Sequence, residues 1–143
     1  MPFETQGVAL GWYNLPFQGV KQDNIMNDKI CIKNLKVNCE IGVYDKERGC
    51  KQPVWFDIEL NVDLSKAAKS DDLNETVDYF ELTSEIVRIV ENSHFLLIEK
   101  LADYVAVFCL KKRIIVGTQV TLKKPEALKQ FGAEISVIVR RGI

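Results

Sequence analysis

The most regular stretch of the chain runs from Val54 to Asp63, where Val54, Phe56, Ile58, Leu60 and Val62 alternate with Trp55, Asp57, Glu59, Asn61 and Asp63. A strict period of two, with one apolar and one polar face, predicts a half-buried antiparallel strand. Upstream, Ile30, Ile32, Leu35, Val37 and Ile41 mark a strand between Lys29 and Val43. Its phase slips near Asn34, which predicts a bulge or bend. The charged segment from Asp45 to Lys51, containing Gly49, reads as the hairpin connection between these strands. After a polar linker from Ser65 to Asp72 the period changes. Leu82, Ile86, Ile89 and Val90 recur at i, i+4, i+7 and i+8 and predict a helix from Thr76 to Asn92. Ile98, Leu101, Ala102, Val105 and Cys109 form the apolar stripe of a second helix, from Leu97 to Lys111. Two alternating strands follow, marked by Ile114, Val116, Thr118, Val120 and Leu122, then by Ala133, Ile135, Val137 and Val139. The predicted order is ββααββ, an α+β domain with two helices on one face of a four-stranded, mainly antiparallel sheet.

Composition narrows the class. With 143 residues, 47% hydrophobic and 27% charged, the chain suits one globular domain with one core. A formal net charge of −1 leaves no electrostatic footprint for nucleic acid or an anionic membrane, and neither is expected as a partner. No apolar run approaches the roughly 20 residues that span a bilayer. The N-terminus also lacks the basic and apolar regions of a secretory signal. A cytoplasmic location is therefore expected. Residues 1–25 carry only Glu4, Lys21 and Asp23 as charges and show no sustained period. They are expected to be an N-terminal extension, disordered or non-native, with the domain over residues 26–143. Cys31, Cys39, Cys50 and Cys109 are scattered and form no CxxC pair. Free thiols are expected, with Cys31 and Cys109 as small core residues. With His94 the one histidine, a mixed Cys/His zinc site is hard to assemble, and no metal is expected. Glycine-rich phosphate cradles of the GxGxxG and GxxxxGK[ST] types are absent.

Four polar groups stand where apolar periodicity does not ask for them: Glu47 in IGVYDKERGCKQ, Tyr79 in ETVDY, Glu99 in FLLIEKLA and Lys124 in VTLKKPEAL. Each has a bland alternative. Glu47 can be a solvated loop charge, and Tyr79 an amphipathic core tyrosine with its hydroxyl at the surface. Glu99 can serve helix first-turn electrostatics. It can equally accept two hydrogen bonds from an amidine-like ligand edge, a stronger and more directional contact than one bond. Pro125 holds Lys124 extended where the strand leaves the sheet. A lysine there is either an edge charge or, in a partly desolvated pocket, a proton-transfer group.

Together these segments resemble the dihydroneopterin aldolase family. The likeness is carried by IKNLKVNCEIGVYDKERGCKQ, FDIEL, AAKSDDLNETVDY, FLLIEKLA, VTLKKPEA and the final EISVIVRR, across roughly residues 28–141. The resemblance implies a T-fold whose copies assemble into rings, here a homo-octamer with active sites at subunit interfaces. It implies a pterin substrate and no cofactor. The implied activity is a lyase of folate biosynthesis that uses neither a metal nor an enzyme Schiff base. Matched position by position, Glu99 is the pterin anchor and Ile98 its backbone-contacting neighbour. Tyr79 is contributed from the adjacent subunit, Glu47 lies near the hydroxylated side chain, Gln52 and Val77 are further contacts, and Lys124 is the catalytic lysine. The same residues suit a dihydroneopterin (triphosphate) epimerase, with Lys46, Arg48 and Lys51 as available phosphate cations, or a non-catalytic pterin-binding ring protein.

Overall fold

The computed structural model describes residues 28–142, so the extension expected over residues 1–25 lies outside the described residues. The elements are β1 (Lys29–Ile41), β2 (Gln52–Asn61), α1 (Ser65–Ser70), α2 (Tyr79–Glu91), β3 (His94–Phe95), α3 (Ile98–Cys109), β4 (Gly117–Lys123) and β5 (Ser136–Gly142). They form one five-stranded sheet of order β3-β1-β2-β4-β5. All pairs are antiparallel except β1 with β3, which run parallel. The α+β class and the two-helix layer are as predicted, but a four-stranded sheet is not. The connection between the two long helices lays His94 and Phe95 beside Glu40 and Ile41. Two residues are too short to carry a period, so this strand leaves no sequence signal. The Ser65–Asp72 linker likewise holds the one-turn helix α1, in which no residue is buried.

The bulge in β1 governs how the sheet meets its core. Ile32 faces Ile58 and Leu35 faces Phe56, so β1 carries one extra residue between these pairs. Asn34 takes a positive φ of 58°, and its N–H donates to Asp57 Oδ1 at 2.8 Å. That bond, opposed by partial desolvation and helped by Lys123 at 3.2 Å, holds the Asp57 carboxyl below its usual range. Side chains alternate faces along a strand, and one inserted residue exchanges the faces. Ile30 and Ile32 point to the core before the bulge; Leu35, Val37, Cys39 and Ile41 do so after it. Cys31 is therefore exposed, against expectation, and Cys39 takes the core position instead. Burial pushes the Cys39 thiol up to about 11, despite nearby Lys51 and Lys124, and the Cys109 thiol up to about 12.

Both long helices close the same face. Leu82, Ile86 and Val90 of α2 and Leu101, Ala102, Val105 and Cys109 of α3 are buried with Phe56, Ile58, Leu60, Val120 and Leu122 of the sheet. Helix α2 begins at Tyr79, later than predicted, because a 3-10 turn occupies Leu73–Glu75 and Asp78 is the N-cap. The Asp78 side chain accepts from the Glu81 N–H at 3.1 Å. Arg141 Nε donates to Asp103 Oδ1 at 2.7 Å and ties β5 to α3. Phe56 is the largest fully buried side chain. Phe56→Ala is expected to cost about 3–5 kcal/mol, read from the shift in denaturant midpoint at unchanged slope.

Candidate active site

Strand register brings the ends of β2 and β4 to one rim of the sheet. Trp55 pairs with Lys123, so Lys124 follows just beyond the last ladder position. Its N–H donates to the Ile135 carbonyl at 3.2 Å, and Pro125 removes the next donor as the chain turns away. Lys124 is only 9% exposed. Its Nζ lies 2.7 Å from Glu47 Oε2.

Glu47 arrives there from a different direction. The β1–β2 connection contains a 3-10 turn over Asp45–Glu47, in which Glu47 N–H donates to the Tyr44 carbonyl at 2.9 Å. The Tyr44 N–H donates back to Glu47 Oε1 at 3.3 Å. Gln52 Nε2 donates to Glu47 Oε2 at 3.2 Å and to the Ile41 carbonyl at 2.8 Å. Gly42, at φ 147°, lets the turn fold back so that the Glu47 side chain lies against its Cα. A Cβ at this position would collide with the Glu47 carboxylate, so the site needs glycine for space as well as for backbone angle. Partial burial raises the Glu47 pKa, but bonds from Lys124, Gln52 and the Tyr44 amide outweigh it and leave the carboxyl below its ordinary range. Glu47 is accordingly a carboxylate at neutral pH, matched to a nearly buried ammonium.

Beside this pair opens a cavity of about 430 Å³, lined by Tyr44, Glu47, Cys50, Gln52, Lys124 and Glu126 among others. It combines carboxylate, amine, amide and aromatic groups and is partly open to solvent. Such a cavity can hold a small polar molecule, orient its hydroxyls and exchange protons with them.

Of the residues singled out from the sequence, Glu47, Gln52 and Lys124 meet here. The solvated-loop alternative for Glu47 does not hold, and neither does the edge-charge alternative for Lys124. Within one chain Tyr79, Val77, Ile98 and Glu99 do not line this cavity. Val77 is buried beside a separate hollow of about 350 Å³ with Leu73, Thr76, Asp78 and Lys112. Tyr79 opens α2 and is 63% exposed, which removes the core-tyrosine alternative. Glu99 is exposed in the first turn of α3, after the half-buried Ile98. The start of α3 is drawn towards the Glu47 turn, because Gly42 N–H donates to the Phe95 carbonyl at 3.3 Å. The sequence reading missed Gly42 and Tyr44. A lone glycine between an apolar strand end and a charged turn was the available signal. Among the described residues, no group of three His, Cys, Asp or Glu side chains is placed to hold a metal ion.

A two-layer α+β unit with a carboxylate–lysine pair at one end of its sheet defines a small-molecule site of the acid–base kind. Residues 30–140 match the family described as FolB, dihydroneopterin aldolase. The dihydroneopterin aldolase of Haemophilus influenzae is 36% identical over 115 residues, covering 80% of this chain and 97% of that one. The crystal structure of Escherichia coli dihydroneopterin aldolase in complex with neopterin aligns with a TM-score of 0.75 at 37% identity, covering 80% of this chain and 99% of that one. The dihydroneopterin triphosphate 2'-epimerase of E. coli is 30% identical over 100 residues, 70% of this chain and 83% of that one. The chain belongs to the dihydroneopterin aldolase family.

The depressed Glu47 pKa has a testable sign. A carboxyl whose folded pKa lies below its unfolded value adds stability that is present above the ordinary carboxylate range. That stability is lost as pH falls through the depressed value. Carboxyl titration by carbon-13 NMR is expected to place Glu47 below an ordinary glutamate, and Lys124→Met is expected to move it upward.

Proposed function

We propose that this chain is a dihydroneopterin aldolase of folate biosynthesis, cleaving 7,8-dihydroneopterin into 6-hydroxymethyl-7,8-dihydropterin and glycolaldehyde. The observation that carries this reading is the nearly buried Lys124–Glu47 pair, 2.7 Å apart at the cavity wall, in a chain of this family. Activity is assigned to the domain over residues 26–143, acting in the cytoplasm.

The reaction needs a base and an electron sink. A base takes the proton of the side-chain 2'-hydroxyl, and the C1'–C2' bond breaks to release glycolaldehyde. Its electron pair flows towards C6 and N5, where the dihydropterin already carries an imine; protonation at N5 completes the sink. The resulting enaminol is then protonated at C1' as N5 gives up its proton, and the hydroxymethyl product forms. Because the substrate itself takes up the electrons, neither a metal nor a lysine Schiff base is required of the protein. Its work is positioning and proton transfer. Lys124 moves the protons with a bound water, and Glu47 holds the hydroxylated side chain at the same wall. Glu99 accepts hydrogen bonds from the ring N3–H and 2-amino group, with the Ile98 backbone at the ring edge.

Tyr79 reaches the site from a neighbouring copy and assists protonation of the enaminol, and Val77 is a further contact. The exposure of Tyr79 and its absence from the wall of the Lys124 cavity within one chain support this arrangement. A homo-octamer of two stacked rings supplies it. The outer flank of β5 and most of the outer flank of β1 are unpaired among the described residues, and both suit strand pairing between copies. Epimerisation at C2' is the second reading. It would follow from re-addition of glycolaldehyde at the same site, and the similarity to the E. coli epimerase supports it.

Chromatography of products from 7,8-dihydroneopterin tests the assignment. Glycolaldehyde and the hydroxymethyl pterin are the expected products, whereas a C2' epimer alone would transfer the assignment to the second reading. Lys124→Ala is expected to lower turnover by about 10²–10⁴-fold, and near-normal turnover would remove its role. Glu99→Ala is expected to weaken neopterin binding by roughly 10–100-fold, measured by calorimetry.

A further inference from the structure

Glu40 is used by none of the chemistry above, yet each of its two carboxylate oxygens holds a different segment. It is the penultimate residue of β1 and points away from the core, with a side chain 25% exposed. Oε2 accepts the Gly49 N–H at 2.9 Å. Oε1 lies 3.0 Å from His94 Nδ1. Gly49 belongs to the turn that carries Glu47, and its φ of 77° is a left-handed conformation favoured by glycine. His94 belongs to β3, four residues before the start of α3 at Ile98 and Glu99.

The turn's own bonds, Glu47 N–H to Tyr44 and Arg48 N–H to Asp45, shape it without fastening it to the sheet. Glu47 is fastened by Lys124 and Gln52. Among the described residues, the far half from Arg48 to Cys50 is fastened through Glu40. An exposed ion pair alone contributes little. A carboxylate that accepts a backbone N–H and an imidazole together is a directional, charge-assisted tie.

We infer that Glu40 is a positioning residue, a clamp that sets the separation between the Glu47 turn and the first turn of α3. The inference rests on the aldolase reading in one respect: those two segments are the ones assigned to the side chain and the ring of the substrate. A rigid separation pre-organises both ends of the site, and a loosened one charges the ordering cost to substrate binding. The clamp thus acts on KM rather than on the proton-transfer step.

Glu40→Ala is expected to raise KM for 7,8-dihydroneopterin by about threefold or more, because an unclamped turn must be ordered by the substrate. Loss of folded enzyme would lower apparent kcat and leave KM unchanged, so KM separates positioning from stability. Glu40→Gln can accept from Gly49 and donate to the other tautomer of His94, and is expected to restore KM. The same comparison is made without substrate through the Gly49 amide exchange rate and the Glu47 carboxyl titration. In Glu40→Ala exchange is expected to quicken and the titration to move upward; Glu40→Gln is expected to reverse both. A KM below that threefold rise in Glu40→Ala, or equal effects of the two substitutions, overturns the clamp. Should Glu40→Ala fail to fold, His94→Ala removes one arm, and an unchanged KM there overturns it as well. Should the wild type turn over no dihydropterin, the aldolase reading falls alone. The exchange and titration measurements then decide the clamp.

Discussion

One inserted residue sets the frame of the molecule. A 13-residue strand facing a single core must keep its parity throughout, and β1 does not do so in sequence. The bulge at Asn34 exchanges the faces halfway, so apolar residues on both sides of it reach the same core. The whole of β2 can then lie against β1, from Lys29 opposite Asn61 to Cys39 opposite Gln52. That alignment places the β1–β2 turn at the rim where β4 ends. Asp57 holds the bulge by accepting the amide of Asn34, so a polar residue on the wet face supports the packing of the dry one.

At that rim the chain places opposite charges almost out of water. Desolvating a carboxylate and an ammonium is costly, and such a pair is favourable only where further hydrogen bonds satisfy it. Tyr44 and Gln52 supply them on the Glu47 side, and the close fit over Gly42 keeps the carboxylate in place. The arrangement keeps a proton donor and an acceptor in fixed relation beside a cavity, which is what acid–base work on a small polyol requires.

The elements with many periods were legible beforehand. The alternation of β2 and the apolar stripes of α2 and α3 predicted their type and buried face, and the phase slip at Asn34 located the bulge. The consequence of that slip was harder to carry forward. Apolar character alone places Cys31 in the core, and the change of parity beside it turns the residue outward. Strand β3 and helix α1 are too short for a pattern, and β3 forms through its pairing with β1. In the site, the residue types at Glu47 and Lys124 were conspicuous, but the chain separates them by three helices and three strands. The tie from Glu40 to Gly49 and His94 had no sequence signal, since a single glutamate at a strand end matches no periodic template.

The two flanks of the sheet are unlike: one is β5, the other is β1 with its two-residue partner β3. Unlike flanks cannot mate by a twofold axis through themselves; they can only join head to tail, each copy passing the same rotation to the next. Such a contact has two outcomes, closure after a whole number of copies or an endless filament. In an assembly of that kind the outcome would depend on the angle through which one copy turns relative to its neighbour, to which strand twist contributes. The bulge adds to the local twist of β1, so the residue that serves the core would also enter that angle.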